Sequence, residues 1–155
     1  MFPVVAGGDC TSLFDPLLGQ RDDDWRRDLT VASLAGLGVF ERDLRPVAAD
    51  PAGAGRAAAA HVAAALPDDR PAWWLHVDLD VLDPALFPAQ GVPGVPDEPG
   101  GLTPEQLQDL VTAALGVPGC AGLSLAIDDP EQDPDDSGAA TVIDLVRTAS
   151  AALLG

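Results

Sequence analysis

The sequence predicts an α/β fold with a mainly parallel β-sheet. Short apolar runs alternate with helix-prone segments along the chain, and this order is typical of strands joined by crossover helices. A pair of aspartates, Asp78 and Asp80, follows one apolar run, at the position where open α/β sheets bind their ligands. The length of 155 residues and the apolar content of 47% fit a single domain, residues 1–155, with a sizeable core.

Strands and helices are predicted in alternation over the first half of the chain. In order they are a strand over 2–6, a short helix over 11–19, a surface loop or helix start over 21–28, a strand over 34–40 and a helix over 55–66. The first strand is an apolar run before two glycines, which favour a tight turn. The last helix is rich in alanine, and Asp50-Pro51 and Pro67 are its expected start and stop.

The second half continues the same alternation. Its predicted elements are a strand over 73–81, a Pro/Gly-rich loop over 83–101, a helix over 103–115, a strand over 122–127, an acidic loop over 128–137 and a helix over 139–154. The helix over 103–115 has the clearest start. Thr103 is the expected N-cap, and Pro104 takes the first helical position, which tolerates the missing N–H.

The charge of the chain excludes several kinds of partner. There are 25 acidic and 8 basic residues, and the net charge is −17. This charge argues against nucleic acid, whose binders need a basic face, and against anionic membrane surfaces, whereas it suits cations and cationic substrates. All of the basic residues are arginine, so chemistry that depends on lysine is excluded.

The cysteines and the N-terminus predict a cytoplasmic protein. Cys10 and Cys120 are too few for a disulfide framework, so we expect free thiols in a reducing compartment. The chain does not start with a secretory signal pattern. No apolar run reaches the length needed to cross a bilayer, and no membrane contact is expected.

The aspartates at the end of the predicted strand 73–81 are the first candidate site. Alternate side chains of a strand share a face, so His76, Asp78 and Asp80 are expected on one side. Two carboxylates this close can converge on one hard cation or bridge two. Burying both without a partner costs several kcal/mol, and a metal is the usual partner. The alternative is a solvated strand end or a loop cap.

The surrounding sequence resembles the arginase/agmatinase/formimidoylglutamase family of ureohydrolases. Residues 76–107 read HVDLDVLDPALFPAQGVPGVPDEPGGLTPEQL, which is similar to the family signature [SH]-x-D-x-D-x-x-D-P, its Pro/Gly loop and its Gly-Gly-Leu-Thr turn into a helix. Residues 122–139, GLSLAIDDPEQDPDDSGA, resemble the last core strand and loop of the family. Residues 3–14, PVVAGGDCTSLF, resemble its Gly-Gly-Asp-[His/Cys]-Ser segment.

The resemblance implies a three-layer αβα fold and a manganese site. Family members hold two Mn²⁺ ions bridged by a hydroxide that attacks the carbon of a guanidinium or amidine group. Asp78 and Asp80 are then expected to be metal ligands, and Cys10 stands where the family often has a ligating histidine. A thiolate suits Mn²⁺ poorly, so one metal or none is expected rather than two. The alternative for Cys10 is a buried small apolar residue.

The chain also departs from the family pattern. The Asp-Ala-His-x-Asp segment, which supplies three ligands in the family, is absent, and residues 15–34 are too few to hold the missing strands and helices. Ile127 stands where arginases have the glutamate of Glu-x-Asn-Pro. We therefore expect an incomplete arginase-like fold with a weak or partial Mn²⁺ site. Sheet edges exposed by the missing segments predict self-association into a homo-oligomer.

The remaining candidate residues have structural explanations. His76 is expected in the core or beside the metal ligands, His61 on the surface, and the Trp73-Trp74 pair in the core. Asp83, which precedes a proline, is expected to accept backbone hydrogen bonds and fix its loop.

Three functional hypotheses remain open. The first is a metal-dependent hydrolase acting on C–N bonds of small cationic guanidino or amidino compounds. The second is a non-catalytic ureohydrolase-fold remnant or subunit. The third is a haloacid-dehalogenase-like phosphatase, with Asp78-Leu79-Asp80-Val81 as the nucleophile motif and Asp128-Asp129 as the later acidic pair. That family needs a Lys or Arg between the two motifs, and none occurs over 71–126.

Overall fold

The computed structural model describes residues 3–6, 40, 42–66, 72–90 and 99–154. The elements in these ranges are β1 (Pro3–Ala6), α1 (Leu44–Ala49), α2 (Pro51–Ala64), β2 (Trp73–Asp78), α3 (Pro104–Leu115), β3 (Cys120–Ala126) and α4 (Ser137–Leu154). Short 3-10 turns over Leu79–Val81 and Pro130–Gln132 follow β2 and β3. This order of strands and helices confirms the predicted α/β class.

The described strands form one parallel sheet in the order β1-β2-β3. The central strand, β2, pairs with β3 so that His76 lies beside Ser124 and Asp78 beside Ala126. Neighbouring strands lie about 4.8 Å apart. The carboxyl ends of β2 and β3 are therefore adjacent at one edge of the sheet, as expected for parallel strands joined by crossovers.

The core lies against one face of β2. Trp73, Leu75 and Val77 alternate along the strand and are fully buried, as the two-residue period of a strand requires. Helices α2, α3 and α4 contribute side chains to the same cluster, among them Ala59, Leu107, Val111, Leu145 and Ala149. Burial of this apolar surface is the main favourable term in folding.

Local signals define the helix starts correctly. Asp50 caps α2 by accepting a hydrogen bond from Gly53 N at 2.9 Å. Thr103 and Gln106 form a reciprocal capping box at the start of α3, with N···O distances of 2.9 and 3.2 Å. Gly55 then allows close packing, because a Cβ added there would lie 2.2 Å from Leu110 O of α3.

Several predicted boundaries differ from the structure. The strand predicted over 73–81 ends at Asp78, because the chain turns into a 3-10 conformation at Leu79–Val81. Helix α1 was not predicted, since its six residues are too few to show a helical period. The elements predicted over 11–19 and 21–28, and residues 34–39 of the second predicted strand, lie outside the described residues, while Phe40 belongs to no strand.

Helix α4 begins two residues before the helix predicted over 139–154 and ends at the predicted residue, Leu154. Within the described ranges it is the helix that is long and apolar enough to cross a membrane by length and composition alone. The core helix of a soluble protein passes the same test, so this is weak evidence for a span. Leu145 and Ala149 of α4 are buried in the core of this chain.

Candidate functional site

The candidate carboxylates lie at the edge of the sheet where β2 ends. Asp78 is the last residue of β2 and is 8% exposed, while Asp80 is half-buried in the following 3-10 turn. The Oδ1 atoms of both carboxylates are shielded from solvent. His76 and Asp78 lie two residues apart in β2 and therefore share a face of the strand, as predicted. The prediction that Asp80 continues this alternation was wrong. The turn, not strand alternation, sets the position of Asp80.

The loop after this turn is fixed by Asp83. Its Oδ1 accepts a hydrogen bond from Ala85 N at 2.9 Å, which confirms the predicted role of this side chain in the loop. Leu82 and Leu102 form an isolated parallel bridge, in which Leu102 N donates to Val81 O at 2.8 Å and Asp83 N to Leu102 O at 3.0 Å. The segment that follows Asp80 is thereby attached to the start of α3.

The buried side chain of Gln90 also stabilises this loop. Its side chain is 5% exposed, and its Nε2 donates hydrogen bonds to Leu82 O and Phe87 O, both at 2.9 Å. These bonds satisfy buried carbonyl groups that would otherwise destabilise the fold. Gln90 was not predicted from the sequence, because a single polar residue in a Pro/Gly-rich segment has no periodic signal.

The loops that follow β2 and β3 are joined to each other. Asp129 N donates to Ala89 O at 2.9 Å, and Gly138 packs against Ala89 so closely that an added Cβ would lie 2.9 Å from its methyl group. The side chain of Asp129 accepts from Glu131 N at 3.1 Å. Asp129 therefore stabilises the local turn, and the two loops form one connected rim at the sheet edge.

A buried carboxylate starts α4. Asp133 accepts hydrogen bonds from Gly138 N and Ala139 N, both at 2.9 Å, and from Ser137 Oγ at 3.3 Å. The backbone N–H groups of Gly138 and then Ala139 hold the pKa of Asp133 below its ordinary value, because they stabilise the ionised form. Sequence alone did not distinguish Asp133 from the other acidic residues of the loop over 128–137.

A polar cluster lies on the other face of β2. Ser124 Oγ lies 2.8 Å from His76 Nδ1 and accepts a hydrogen bond from Trp74 Nε1 at 3.0 Å. The indole ring of Trp74 covers Gly122, where an added Cβ would lie 2.3 Å from a ring carbon. Trp74 is 36% exposed, so the prediction of a core position was wrong for Trp74. The same prediction is confirmed for Trp73.

Comparison with known proteins identifies the family. The family model described as the arginase family matches residues 47–152, which is more than half of the chain. The chain belongs to the arginase family. The haloacid-dehalogenase alternative does not account for this match. No curated protein matches the chain.

Solved structures show the corresponding fold. Helicobacter pylori arginase is similar with a TM-score of 0.63 at 15% identity, over 79% of this chain and 39% of that one. Proclavaminate amidino hydrolase from Streptomyces clavuligerus has a TM-score of 0.60 at 22% identity, over 83% and 40%. Arginase from Bacillus caldovelox has a TM-score of 0.61 at 18% identity, over 76% and 37%. The chain therefore has the αβα ureohydrolase fold but spans about 40% of the length of these relatives.

The other candidate residues do not complete a metal cluster in the part of this arginase-family chain that the structure describes. Within those residues, no group of three or more His, Cys, Asp or Glu side chains can hold a metal ion. His61 lies exposed on α2, as predicted, with its ring centroid 5.3 Å from that of Phe40. Cys120 is a half-buried free thiol. Cys10, the third proposed ligand, lies outside the described residues.

Ile127 is strained at the end of β3. Its φ of 62° lies in the left-handed region, which is unfavourable for a β-branched residue, and its side chain is 46% exposed. It directly follows Ala126, which pairs with Asp78. The candidate site therefore lies next to a residue whose backbone conformation is unfavourable and whose apolar side chain is exposed to solvent.

Replacing Ile127 with glycine is expected to raise the free energy of unfolding by about 0.5–1 kcal/mol. A left-handed residue other than glycine costs about 1–2 kcal/mol, and the greater freedom of glycine in the unfolded chain offsets part of the gain. Urea unfolding followed by circular dichroism measures the change. The control is Ile127→Val, which keeps a β-branched side chain and should leave stability unchanged. If both variants have a higher free energy of unfolding than the wild type, backbone strain at Ile127 is refuted.

Proposed function

We propose that this arginase-family chain is a metal-dependent hydrolase of C–N bonds in linear amidines or guanidines, with a partial Mn²⁺ site at the carboxyl end of β2. The observation that carries the proposal is the buried carboxylate of Asp78 at the strand end, followed in the next turn by Asp80. Proteins of this family are typically metal-dependent. Ligands of open α/β sheets bind at this edge.

The donor atoms suit a hard cation in type but are few in number. Asp78 and Asp80 supply carboxylate oxygens, which Mn²⁺ prefers, whereas the proposed third ligand, Cys10, supplies a soft thiolate. An octahedral ion needs about six ligands, so water would complete most of the shell. We therefore propose weak binding of a single ion rather than of a binuclear pair.

The residues of the chain have distinct roles in this proposal. Asp78 and Asp80 hold the cation and attract a cationic substrate, as does the net charge of −17. Asp83 and Gln90 position the loop that follows them through the hydrogen bonds described above. The chemistry that the cation supplies when bound is activation of water toward a guanidinium or amidine carbon.

A non-catalytic subunit of the ureohydrolase fold is the second candidate. It is favoured by Ile127, which is apolar where the resemblance to arginases implies a glutamate, and by the lack of a three-residue metal cluster in the described ranges. In either case we propose that residues 1–155 form one domain, and that the protein is cytoplasmic, binds neither nucleic acid nor membrane and self-associates into a homo-oligomer.

Metal binding and turnover test this proposal on the full chain. Mn²⁺ binding is measured from the electron paramagnetic resonance signal of the free ion, and urea or ammonia release is measured with arginine, agmatine and formimidoylglutamate. We expect one weakly bound ion per chain. Asp78→Asn and Asp80→Asn should each weaken Mn²⁺ binding by about tenfold or more. Loss of a residue that supports a metal ligand already lowers affinity by about 10–100-fold, and loss of the ligand itself should lower it at least as much.

The matched control is Asp109→Asn, which removes the same charge from an exposed position on α3. It should leave Mn²⁺ binding unchanged. Binding without product release would support the non-catalytic subunit. Two tightly bound ions with turnover would contradict the partial site, and no Mn²⁺ uptake at millimolar metal would reject the site altogether.

A further inference from the structure

Ser124 of β3 and His76 of β2 form a hydroxyl–imidazole pair. Their Cα atoms are partners in the parallel register of the two strands, and Ser124 Oγ lies 2.8 Å from His76 Nδ1. His76 lies on the face of β2 opposite to the buried side chains Trp73, Leu75 and Val77. A serine hydroxyl within hydrogen-bond reach of an imidazole is the arrangement that activates serine as a nucleophile.

Trp74 orients the hydroxyl group of Ser124. Its Nε1 donates a hydrogen bond to Ser124 Oγ at 3.0 Å, which occupies one lone pair of the oxygen. The hydroxyl proton is then donated to His76 Nδ1, in the neutral tautomer of the imidazole that carries its proton on Nε2. A serine whose proton is held by an adjacent base is a stronger nucleophile than a free hydroxyl.

The two strands hold these side chains in place before any ligand binds. Trp74 is the register partner of Gly122, and a Cβ added to Gly122 would lie 2.3 Å from an indole carbon. The indole ring is therefore seated directly on β3. Functional groups on strands keep their geometry more precisely than groups on loops, so the arrangement is preorganised.

The cluster of Trp74, His76 and Ser124 is open to solvent. Trp74 is 36% exposed, and the other two residues are half-buried. The exposed indole gives an apolar aromatic surface beside the hydroxyl. The net charge of −17 disfavours anionic compounds such as phosphate monoesters. These features together favour a small neutral ester with an apolar or aromatic group.

We propose that Ser124 is the nucleophile of a second hydrolytic site, separate from the metal site, which acts on small neutral carboxylic esters with His76 as base. Ser124 Oγ forms a bond to the carbonyl carbon while its proton passes to His76 Nδ1. The C–O bond to the alcohol then breaks, and the alcohol leaves with that proton. Water attacks the acyl-serine in the same way and releases the carboxylic acid, which restores both side chains.

Covalent labelling of the full chain with diisopropyl fluorophosphate tests this proposal. The reagent is a neutral compound that transfers its phosphoryl group to an activated serine and releases fluoride. We expect mass spectrometry to show a single added diisopropylphosphoryl group, and peptide mapping to place it on Ser124. Hydrolysis of p-nitrophenyl acetate measures turnover. Both experiments contain EDTA, so their results do not depend on Mn²⁺ binding.

Three variants assign the roles of the cluster. Ser124→Ala should remove the label. His76→Asn should slow labelling by about 100-fold or more, since general base catalysis typically contributes about 10²–10⁴-fold. The asparagine oxygen still accepts a hydrogen bond from Ser124 but is too weak a base to take its proton, so this variant separates catalysis from a structural role. Trp74→Phe keeps an aromatic ring without the N–H and should slow labelling by a smaller factor.

The matched control is Ser150→Ala, which removes a hydroxyl from an exposed position on α4 and should leave labelling unchanged. Unfolding the wild-type chain in urea should abolish the label, and this result does not depend on whether the variants fold. Absence of the label from Ser124 overturns the proposal, as does its persistence in urea. Labelling of His76→Asn at the wild-type rate also overturns it, as does equal hydrolysis of p-nitrophenyl acetate by Ser124→Ala and the wild type.

Discussion

Replacing Trp73 with alanine is expected to lower the free energy of unfolding by about 3–5 kcal/mol, the usual cost of removing a large buried aromatic side chain. Trp73 is fully buried and belongs to the cluster that joins β2 to the helices. Its Nε1 donates a hydrogen bond to Pro118 O at 3.1 Å. The variant loses the packing of the indole and leaves this carbonyl without its donor.

The adjacent tryptophan provides the control. Trp74 is 36% exposed and points to the other face of the sheet, where it donates to Ser124. Trp74→Ala should cost about 1 kcal/mol, the net value of a hydrogen bond with modest packing. Urea unfolding followed by far-ultraviolet circular dichroism measures both variants without relying on tryptophan fluorescence. If both variants lose the same free energy of unfolding, the assignment of one buried and one exposed face to β2 is contradicted.

Replacing Gly101 with alanine is expected to cost about 3 kcal/mol of stability. Gly101 has a φ of 141°, and an added Cβ would lie 2.3 Å from Asp83 N and 2.5 Å from Leu82 C. Both contacts are with backbone, so no side chain can move aside. The cost combines overpacking, about 1–3 kcal/mol, with an unfavourable backbone conformation, about 1–3 kcal/mol.

Gly100 separates these two contributions. Its φ of 111° is also positive, but nothing lies within 4 Å of an added Cβ. Gly100→Ala should therefore cost only the backbone term, about 1–2 kcal/mol less than Gly101→Ala. Thermal and urea unfolding compare the two variants. If they are equally destabilised, the close approach of Gly101 to the segment after Asp80 is not present in solution.

Much of the fold was predictable because its signals are local. The capping box of α3 depends on Thr103 and Gln106, which lie three residues apart. The buried alternation of β2 depends on side chains two residues apart. Such patterns act through neighbouring backbone groups, so they are visible before any tertiary contact forms.

The candidate site was predictable only in part. Asp78 follows an apolar strand and was placed correctly at the sheet edge. The 3-10 turn that carries Asp80 was not predicted, because strand periodicity says nothing about where a strand stops. Gln90 and Asp133 were missed for a different reason. Each forms hydrogen bonds with backbone groups five to eight residues away in its own loop, and the sequence does not specify the path of a loop.

The sequence by itself determined the family, the parallel α/β class and the carboxylates at the end of β2. Residues 76–107 carry these features in a fixed spacing, and spacing along the chain is what a sequence records. Only the tertiary structure decided which tryptophan is buried, how the loops after β2 and β3 join at Ala89 and Asp129, and which face of α4 stays exposed. Each of these depends on contacts between segments far apart in the chain, where packing overrides local preference.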